Sequence, residues 1–226
     1  MDLIFMLTRD DATAPNALEL VQTVRPLGLK AIGFKDVGAD ADTLRRLTAA
    51  IRDMGASPYM EIVATTRAEE LEGVALACDL GVDVLMGGVH VEAALAVLAG
   101  SRVAYLPFAG RPFGHPTSLG GTAAEVESHG QDFVARGCAG TDLLAYRATE
   151  DDPLALIAAA RRGLGDKGRL VVAGSVNTPA RVAAVCAAGA DAFTIGTAAL
   201  EGSYAPGAGG LAAQLRSAIQ DCGRGR

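Results

Sequence analysis

Short apolar runs alternate with helical segments along the chain, and this alternation restricts its possible folds more than any other feature. Runs that are apolar throughout are typical of parallel strands buried on both faces. Strands are predicted at 2–7, 29–34, 58–63, 82–86, 103–108, 141–146 and 170–173, with an eighth apolar run ending at Gly196. Helices are predicted at 14–27, 41–54, 68–80, 91–98, 123–135 and 153–163, in the Ala-rich segment after Ser175, and at 197–200 and 210–221. About eight βα units in 226 residues predict an α/β fold, a single domain over 1–226 that forms a parallel eight-stranded (β/α)8 TIM barrel.

The charge balance limits the classes of partner. Lys and Arg number 20 against 26 Asp and Glu, a formal net charge of −6. This excess of acid argues against a general surface for nucleic acid or anionic membranes. No apolar run reaches the length of a transmembrane helix, and no basic region precedes the apolar run at the start. We therefore expect a cytoplasmic protein that contacts neither nucleic acid nor membrane.

Cysteine and histidine placement predicts neither a disulfide framework nor a metal site. The four cysteines are widely spread, without a C-x-x-C pair, and the three histidines show no metal-ligand spacing. The glycines form no Walker or Rossmann fingerprint. No metal and no cofactor are predicted.

Glycines follow the last two predicted strands. Gly174 and Ser175 come directly after one apolar run, and Gly196 and Thr197 come directly after the next. Glycine lets a backbone approach a ligand closely, and the second pair opens a short helix whose free N–H groups favour anions. In (β/α)8 barrels the loops after strands 7 and 8 frequently form a phosphate site. These four residues are therefore predicted to bind the phosphate of a small metabolite; the alternative is an ordinary, tightly packed βαβ unit.

On these residues, the stretch 169–200 resembles the phosphate-binding end of the ribulose-phosphate-binding barrels. That superfamily contains the phosphosugar isomerases and synthases of histidine and tryptophan biosynthesis, so the resemblance implies a sugar-phosphate ligand. The segment GFKDVG around Lys35 also looks like the lysine-bearing strand of orotidine-phosphate decarboxylase relatives, although Met60-Glu61-Ile62 stands where they carry D-x-K. A lysine after an apolar strand together with a glutamate is similar in residue type to the N-acetylmannosamine-phosphate epimerases.

Lys35 and Glu61 are the predicted catalytic pair. Lys35 ends an apolar strand, and Glu61 lies within the next one. Because a buried charge is costly, each side chain must reach the polar mouth of the barrel or pair with an opposite charge. Neighbouring strands lie about 4.8 Å apart, which brings the two side chains within reach of each other. They could move a proton, or they could form a purely structural ion pair.

Three further polar residues are predicted at the mouth of the barrel. Arg9, after the first strand, and Arg147, after the sixth, are candidates for substrate binding because guanidinium grips carboxylate or phosphate. His115 lies in a Gly/Pro-rich loop, 107–121, which is typical of a lid, and a histidine there could carry protons. The alternatives are rim arginines paired to nearby acids and a surface histidine.

The motif Gly140-Thr141-Asp142 repeats a Gly-x-Asp pattern found before other predicted strands, as in Gly81-Val82-Asp83. Glycine at such a position ends the preceding helix. Asp142 is accordingly predicted to lie on the stability face of the barrel, without a catalytic role.

Taken together, the sequence predicts a metal-free isomerase or epimerase that transfers a proton next to the carbonyl of a sugar phosphate. One alternative is a lyase on a phosphorylated keto substrate, with Lys35 as a Schiff-base nucleophile, or a decarboxylase. The other is a barrel that binds a phosphometabolite without catalysis. We also expect a homodimer, since barrel helices commonly present apolar surface.

Overall fold

The computed structural model of the protein describes residues 1–64 and 66–224. Its centre is a sheet of eight parallel strands, numbered β1 to β8: Asp2–Met6, Ala31–Lys35, Ser57–Glu61, Val84–Met86, Ala104–Leu106, Gly140–Leu143, Arg169–Val172 and Ala192–Ile195. The strands are paired in the order β6-β7-β8-β1-β2-β3-β4-β5. A parallel bridge between Phe108 and Asp142 joins the two ends of this series. The sheet is therefore a barrel, and the predicted (β/α)8 fold is confirmed.

Helices follow the strands and cover the outside of the barrel. Within the described residues they are α1 to α9: Ala17–Val24, Ala41–Asp53, Arg67–Leu80, Val91–Val97, Ala123–Ala135, Pro153–Leu164, Pro179–Ala187, Thr197–Leu200 and Leu211–Arg224. Thr66 and Thr122 form capping boxes at the starts of α3 and α5, which fixes where those helices begin. None of the described helices is long and apolar enough to cross a membrane.

Two apolar layers hold the barrel together. The larger one lies between the sheet and the helices and includes Phe5, Phe34 and Phe193. The smaller one fills the barrel interior with side chains such as Ile4, Met6 and Tyr59. Gly33 faces this interior, where a Cβ would overlap the Met6 sulfur, so its lack of a side chain makes room for Met6. Lys35 lies two residues after Gly33 on β2, and Glu61 lies two residues after Tyr59 on β3. Both side chains therefore share the inward face and lie nearer the mouth.

Two short hairpins add to the mouth of the barrel. Thr8–Arg9 pairs with Ala12–Thr13 after β1, and Arg111–Phe113 pairs with Ser118–Gly120 after β5. Thr13 fastens the first hairpin to the end of β2, since its hydroxyl donates to the Lys35 carbonyl oxygen at 2.7 Å and accepts from the Lys35 N–H at 2.8 Å. The second hairpin occupies the loop that the sequence predicts as a lid.

Candidate active site

A cavity of about 300 Å³ opens at the carboxyl ends of the strands. Its walls come from the segments after β1, β6, β7 and β8 and from the ends of β2 and β3. Seven of the nine predicted site residues line it: Lys35, Glu61, Arg147, Gly174, Ser175, Gly196 and Thr197. Arg9 and His115 do not line it.

Lys35 is the centre of a buried charge cluster. Its Nζ lies 2.8 Å from Asp11 Oδ1 and 3.0 Å from Glu61 Oε1, and all three side chains are less than 10% exposed. The register of β2 against β3 places Lys35 directly opposite Glu61, so the sheet itself creates this ion pair. Asp11, which the sequence analysis did not select, completes it.

The cluster sets the protonation state of its members. Burial alone would lower the pKa of Lys35, but the carboxylates of Glu61 and Asp11 outweigh it and raise the pKa above its usual value. Burial would raise the pKa of Asp11, but Lys35 and then Arg147 hold it below the usual value. At neutral pH Lys35 is therefore an ammonium and Asp11 a carboxylate. A charged lysine is a poor Schiff-base nucleophile, which counts against the aldolase alternative.

The turn of the first hairpin decides which side chain faces the cavity. Asp10 and Asp11 form its two-residue turn with φ of 48° and 61°, the left-handed geometry of a type I′ turn. Thr8 and Asp11 line the cavity, whereas Arg9 is exposed on the outer side. The prediction that Arg9 binds substrate therefore does not fit this arrangement, because adjacent residues of a strand face opposite ways.

The structure also corrects the interpretation of Asp142. β6 begins at Gly140, so Asp142 lies within the strand and pairs with Val171, whose side chain fills the barrel interior. Its carboxyl group is fully buried, and neither oxygen has a hydrogen-bond partner among the described residues. Burial, and then the charge of Glu61, raises its pKa far above the usual carboxyl value, although Lys35 and Arg147 oppose this. Burial therefore favours the neutral form of Asp142, which lies beside the charge cluster.

Arg147 connects this cluster to the glycine loop after β7. Its Nη1 lies 3.6 Å from Asp11 Oδ1 and donates to the Thr117 carbonyl oxygen at 3.1 Å. Gly174, with φ of 73°, leaves the space that the Arg147 side chain fills, because a Cβ there would come within 2.6 Å of Arg147 Nε. Gly196 is similarly confined, since its Cβ would meet Thr8 Oγ1 at 2.9 Å. Both glycines thus permit close packing at the cavity wall.

Arg181, on α7, is a neighbour of the site that the sequence analysis missed. Its Nη1 donates to the Ser175 carbonyl oxygen at 2.6 Å and to Asn177 Oδ1 at 3.1 Å, and its guanidinium lies over the Tyr146 ring. These bonds hold the loop after β7 in place. Its position one turn into a helix that follows a glycine loop was the available signal.

The second hairpin reaches over the cavity and contacts Asp11. The Thr117 N–H donates to Asp11 Oδ2 at 3.5 Å, and His115 Nδ1 lies 3.9 Å from the same oxygen. The His115 side chain is 56% exposed. His115 is therefore at the rim, close enough to interact with Asp11 but outside the cavity wall.

Solved structures share this fold, whereas no family model and no curated protein matches the sequence. Orotidine 5′-phosphate decarboxylase from Pyrococcus horikoshii OT3 aligns with a TM-score of 0.67 and 12% identity, over 97% of this chain and 98% of the other. A mandelate oxidase aligns with a TM-score of 0.67 and 14% identity, over 97% and 72%. FabK from Thermotoga maritima aligns with a TM-score of 0.59 and 16% identity, over 86% of this chain and 58% of its own. The fold is that of TIM-barrel enzymes.

Asp36, next to Lys35, should make stability depend on pH. It accepts a hydrogen bond from the Val63 N–H at 2.9 Å, and burial raises its pKa to about 6 from an ordinary 3.8. Between these values the folded state holds the proton more tightly than the unfolded state, so stability falls as pH rises. Asp36→Asn keeps an acceptor for Val63 and should remove this loss, gaining up to about 3 kcal/mol above pH 6. Urea unfolding at several pH values measures it.

Asp166→Asn is the matched control for this measurement, because Asp166 is exposed. It should keep the slope of the unmodified protein between about pH 4 and 6. An Asp36→Asn protein with that same slope would contradict the assignment.

Proposed function

We propose that the protein is an isomerase or epimerase of a sugar phosphate, related in its phosphate site to the ribulose-phosphate-binding barrels. The observation that carries this proposal is the composition of one cavity. The loops 174–177 and 196–198 form one wall of this cavity. The buried cluster of Asp11, Lys35 and Glu61 forms the opposite wall. A phosphate bound at the first wall places the carbon chain of the ligand against the second.

The phosphate end of the proposed site combines backbone and one cation. Ser175, Gly196 and Thr197 would present N–H groups, and the Gly174 N–H, which donates to Thr194 Oγ1 at 3.4 Å, would exchange this long hydrogen bond for one to the phosphate. Arg147 supplies a guanidinium against the first of these loops. The chain carries a net charge of −6, so its overall field does not attract anions. An anion would therefore be bound by a local arrangement of this kind.

The reacting end has the groups that proton transfer next to a carbonyl requires. A carboxylate, Asp11 or Glu61, takes the proton from the carbon beside the carbonyl, and the electron pair moves onto the carbonyl oxygen. The Lys35 ammonium stabilises the negative charge that develops there. Return of the proton to the former carbonyl carbon, together with transfer of the hydroxyl proton from one oxygen of the enediolate to the other, isomerises the sugar. Return of the proton to the opposite face of the original carbon restores the carbonyl and epimerises the sugar. In this metal-free proposal, the Lys35 ammonium is the positive charge that stabilises the oxyanion.

Solvent-deuterium wash-in tests the reaction. The protein is incubated in D₂O with ketose and aldose phosphates of different length and stereochemistry, and NMR follows the carbon next to each carbonyl. We expect deuterium at that carbon for at least one compound, with and without a chelator. If inorganic phosphate binds but no compound exchanges, the protein is a phosphometabolite-binding barrel instead.

Removal of the Arg147 charge should weaken phosphate binding. A charge-assisted hydrogen bond contributes about 1.5 to 3 kcal/mol, so Arg147→Met should raise the Kd for inorganic phosphate by about 10- to 100-fold. Titration calorimetry measures the affinity. Arg136→Met, which removes an exposed arginine paired with Asp132 on α5, should leave it unchanged. Equal affinities in both variants would place the phosphate elsewhere.

A decarboxylase is the second candidate, and the state of Lys35 favours it over the aldolase. An ammonium beside two buried carboxylates can protonate the carbanion that remains when CO₂ leaves. Release of CO₂ from phosphorylated keto acids, with no adduct trapped by borohydride, would indicate this reaction. A borohydride-trapped adduct at Lys35 would indicate the aldolase.

A further inference from the structure

A second cavity, of about 340 Å³, opens at the same mouth of the barrel. Its walls follow β3, β4 and β5 and include one face of the second hairpin. Among the described residues, none lines both this cavity and the first one. Thr117, at the tip of the hairpin, lines the second cavity and hydrogen-bonds Asp11 and Arg147 of the first. The hairpin tip therefore separates two neighbouring compartments.

Glu70 and His90 form a fixed polar pair in the wall of the second cavity. The Glu70 side chain is 4% exposed and accepts hydrogen bonds from the Val89 N–H at 3.0 Å and the His90 N–H at 2.8 Å. The same carboxylate lies 2.7 Å from His90 Nδ1. Gly88 makes this approach possible, because a Cβ there would meet Glu70 Oε1 at 2.6 Å. The imidazole is thus held by its Nδ1, and no described residue bonds its Nε2.

Apolar side chains form about half of the cavity wall, beside the polar side chains of Thr66 and Thr117. Ile62 and Phe108 form its inner part, and Val89 and Phe113 form its rim. Val89 is 46% exposed and Phe113 52% exposed, among the most exposed large apolar side chains of the described residues. Exposed apolar side chains beside a concave pocket that holds an oriented polar pair are typical of a small-molecule site.

We propose that this second cavity binds a planar ring that carries a hydroxyl or N–H group on its edge. When His90 donates through Nδ1 to Glu70, Nε2 of the neutral imidazole is an acceptor, so it pairs with a donor on the ligand. The buried Glu70 carboxylate disfavours an anion in the same place. The apolar rim then covers the faces of the ring. A phosphate ester with such a ring at its far end is the class of ligand that would use both compartments.

Ring-nitrogen NMR of the histidines tests this directly with three simple probes. The chain has three histidines, and a His90→Gln variant assigns the His90 signals. Phenol offers a ring with a donor, anisole the same ring without one, and inorganic phosphate neither. We expect phenol to shift His90 Nε2 saturably, anisole to bind at least about threefold more weakly and phosphate to leave His90 unchanged, since one neutral hydrogen bond contributes about 1 kcal/mol.

Variants of the rim provide the matched comparison. Val89→Ser and Phe113→Ser each remove an exposed apolar side chain from the cavity, and each should raise the phenol Kd at least about fivefold. Val97→Ser removes a valine of α4 that is 40% exposed and lies outside the cavity, and it should leave the Kd unchanged. A His90 signal that does not saturate, equal affinity for phenol and anisole, or an unchanged Kd in Val89→Ser and Phe113→Ser would overturn the proposal.

These probes contain no sugar phosphate, so the outcome is independent of the proposed reaction. Phenol binding at His90 without any deuterium wash-in would leave the second cavity intact and remove the isomerase proposal. Deuterium wash-in without phenol binding would support the isomerase proposal and remove the second-cavity proposal. Glu70 would then serve only to hold the segment 88–90.

Discussion

A Lys35→Met variant should lose deuterium exchange at the substrate carbon by a factor of about 10² to 10⁴, the usual contribution of a positioned acid or base. Methionine has a similar length but no charge to stabilise the developing oxyanion. The variant should also lose about 3 to 5 kcal/mol of unfolding free energy, because Asp11 and Glu61 would remain as buried carboxylates without their cation.

Lys30→Met is the matched control for this variant. Lys30 comes just before the same strand, at its opposite end, and is exposed. Its replacement should leave both exchange and stability unchanged. Deuterium wash-in and urea unfolding of the two proteins, side by side, separate the loss of chemistry from the loss of folding. Full turnover in Lys35→Met would exclude Lys35 from the reaction.

An Asp11→Asn variant should lose exchange by a similar factor of about 10² to 10⁴ if Asp11 is the proton acceptor. Asparagine is the suitable replacement because it tolerates the left-handed conformation that Asp11 adopts, with φ of 61°. Asp10→Asn is the natural control, since Asp10 occupies the same turn with φ of 48° but is exposed. If Asp11→Asn exchanges at the normal rate, Glu61 is the better candidate for the base.

The same pair of variants gives a pH signature. Burial opposes ionisation of Asp11, but Lys35 and Arg147 hold its pKa below the ordinary 3.8, so its ionised form stabilises the fold. That contribution is fully present above the ordinary value and is lost as pH falls through the lowered one. The difference in unfolding free energy between the unmodified protein and Asp11→Asn should therefore be largest near neutral pH and disappear in acid. Asp10→Asn should show no such difference.

The parts of the site that depend on strand order could be predicted from the sequence. Lys35 and Glu61 end consecutive strands, and consecutive parallel strands of a barrel are neighbours, so their contact follows from the alternation of elements. The four residues after β7 and β8 line one cavity for the same reason. The predicted strand 29–34 starts two residues before β2 and ends one residue before it. The register of β2 against β3 nevertheless pairs Lys35 with Glu61.

The parts that depend on local backbone geometry could not be predicted in this way. Asp11 rather than Arg9 faces the cavity because of a two-residue turn with positive φ, and the sequence analysis did not recognise Asp10-Asp11 as that turn. Asp142 falls inside the predicted strand 141–146, but β6 runs from Gly140 to Leu143, so Asp142 lies next to its carboxyl end and not at the stability face. Gly140 itself pairs closely with β7, since a Cβ there would overlap the Arg169 carbonyl oxygen. A glycine that ends a helix and a glycine that begins a closely paired strand look identical in sequence.

The bond from Thr13 to Lys35 has a consequence for motion at the site. Thr13 is 2% exposed, and its hydroxyl hydrogen-bonds both the N–H and the carbonyl oxygen of Lys35. The first hairpin is therefore attached to the end of β2 by this side chain. The Asp11 carboxylate and the Lys35 ammonium thus belong to chain segments that are far apart in sequence but are joined by the Thr13 hydroxyl as well as by their charges. Thermal fluctuations that open the hairpin must break both links at once. The charge pair is consequently preorganised before any ligand arrives, which spares the ligand the entropy of assembling it.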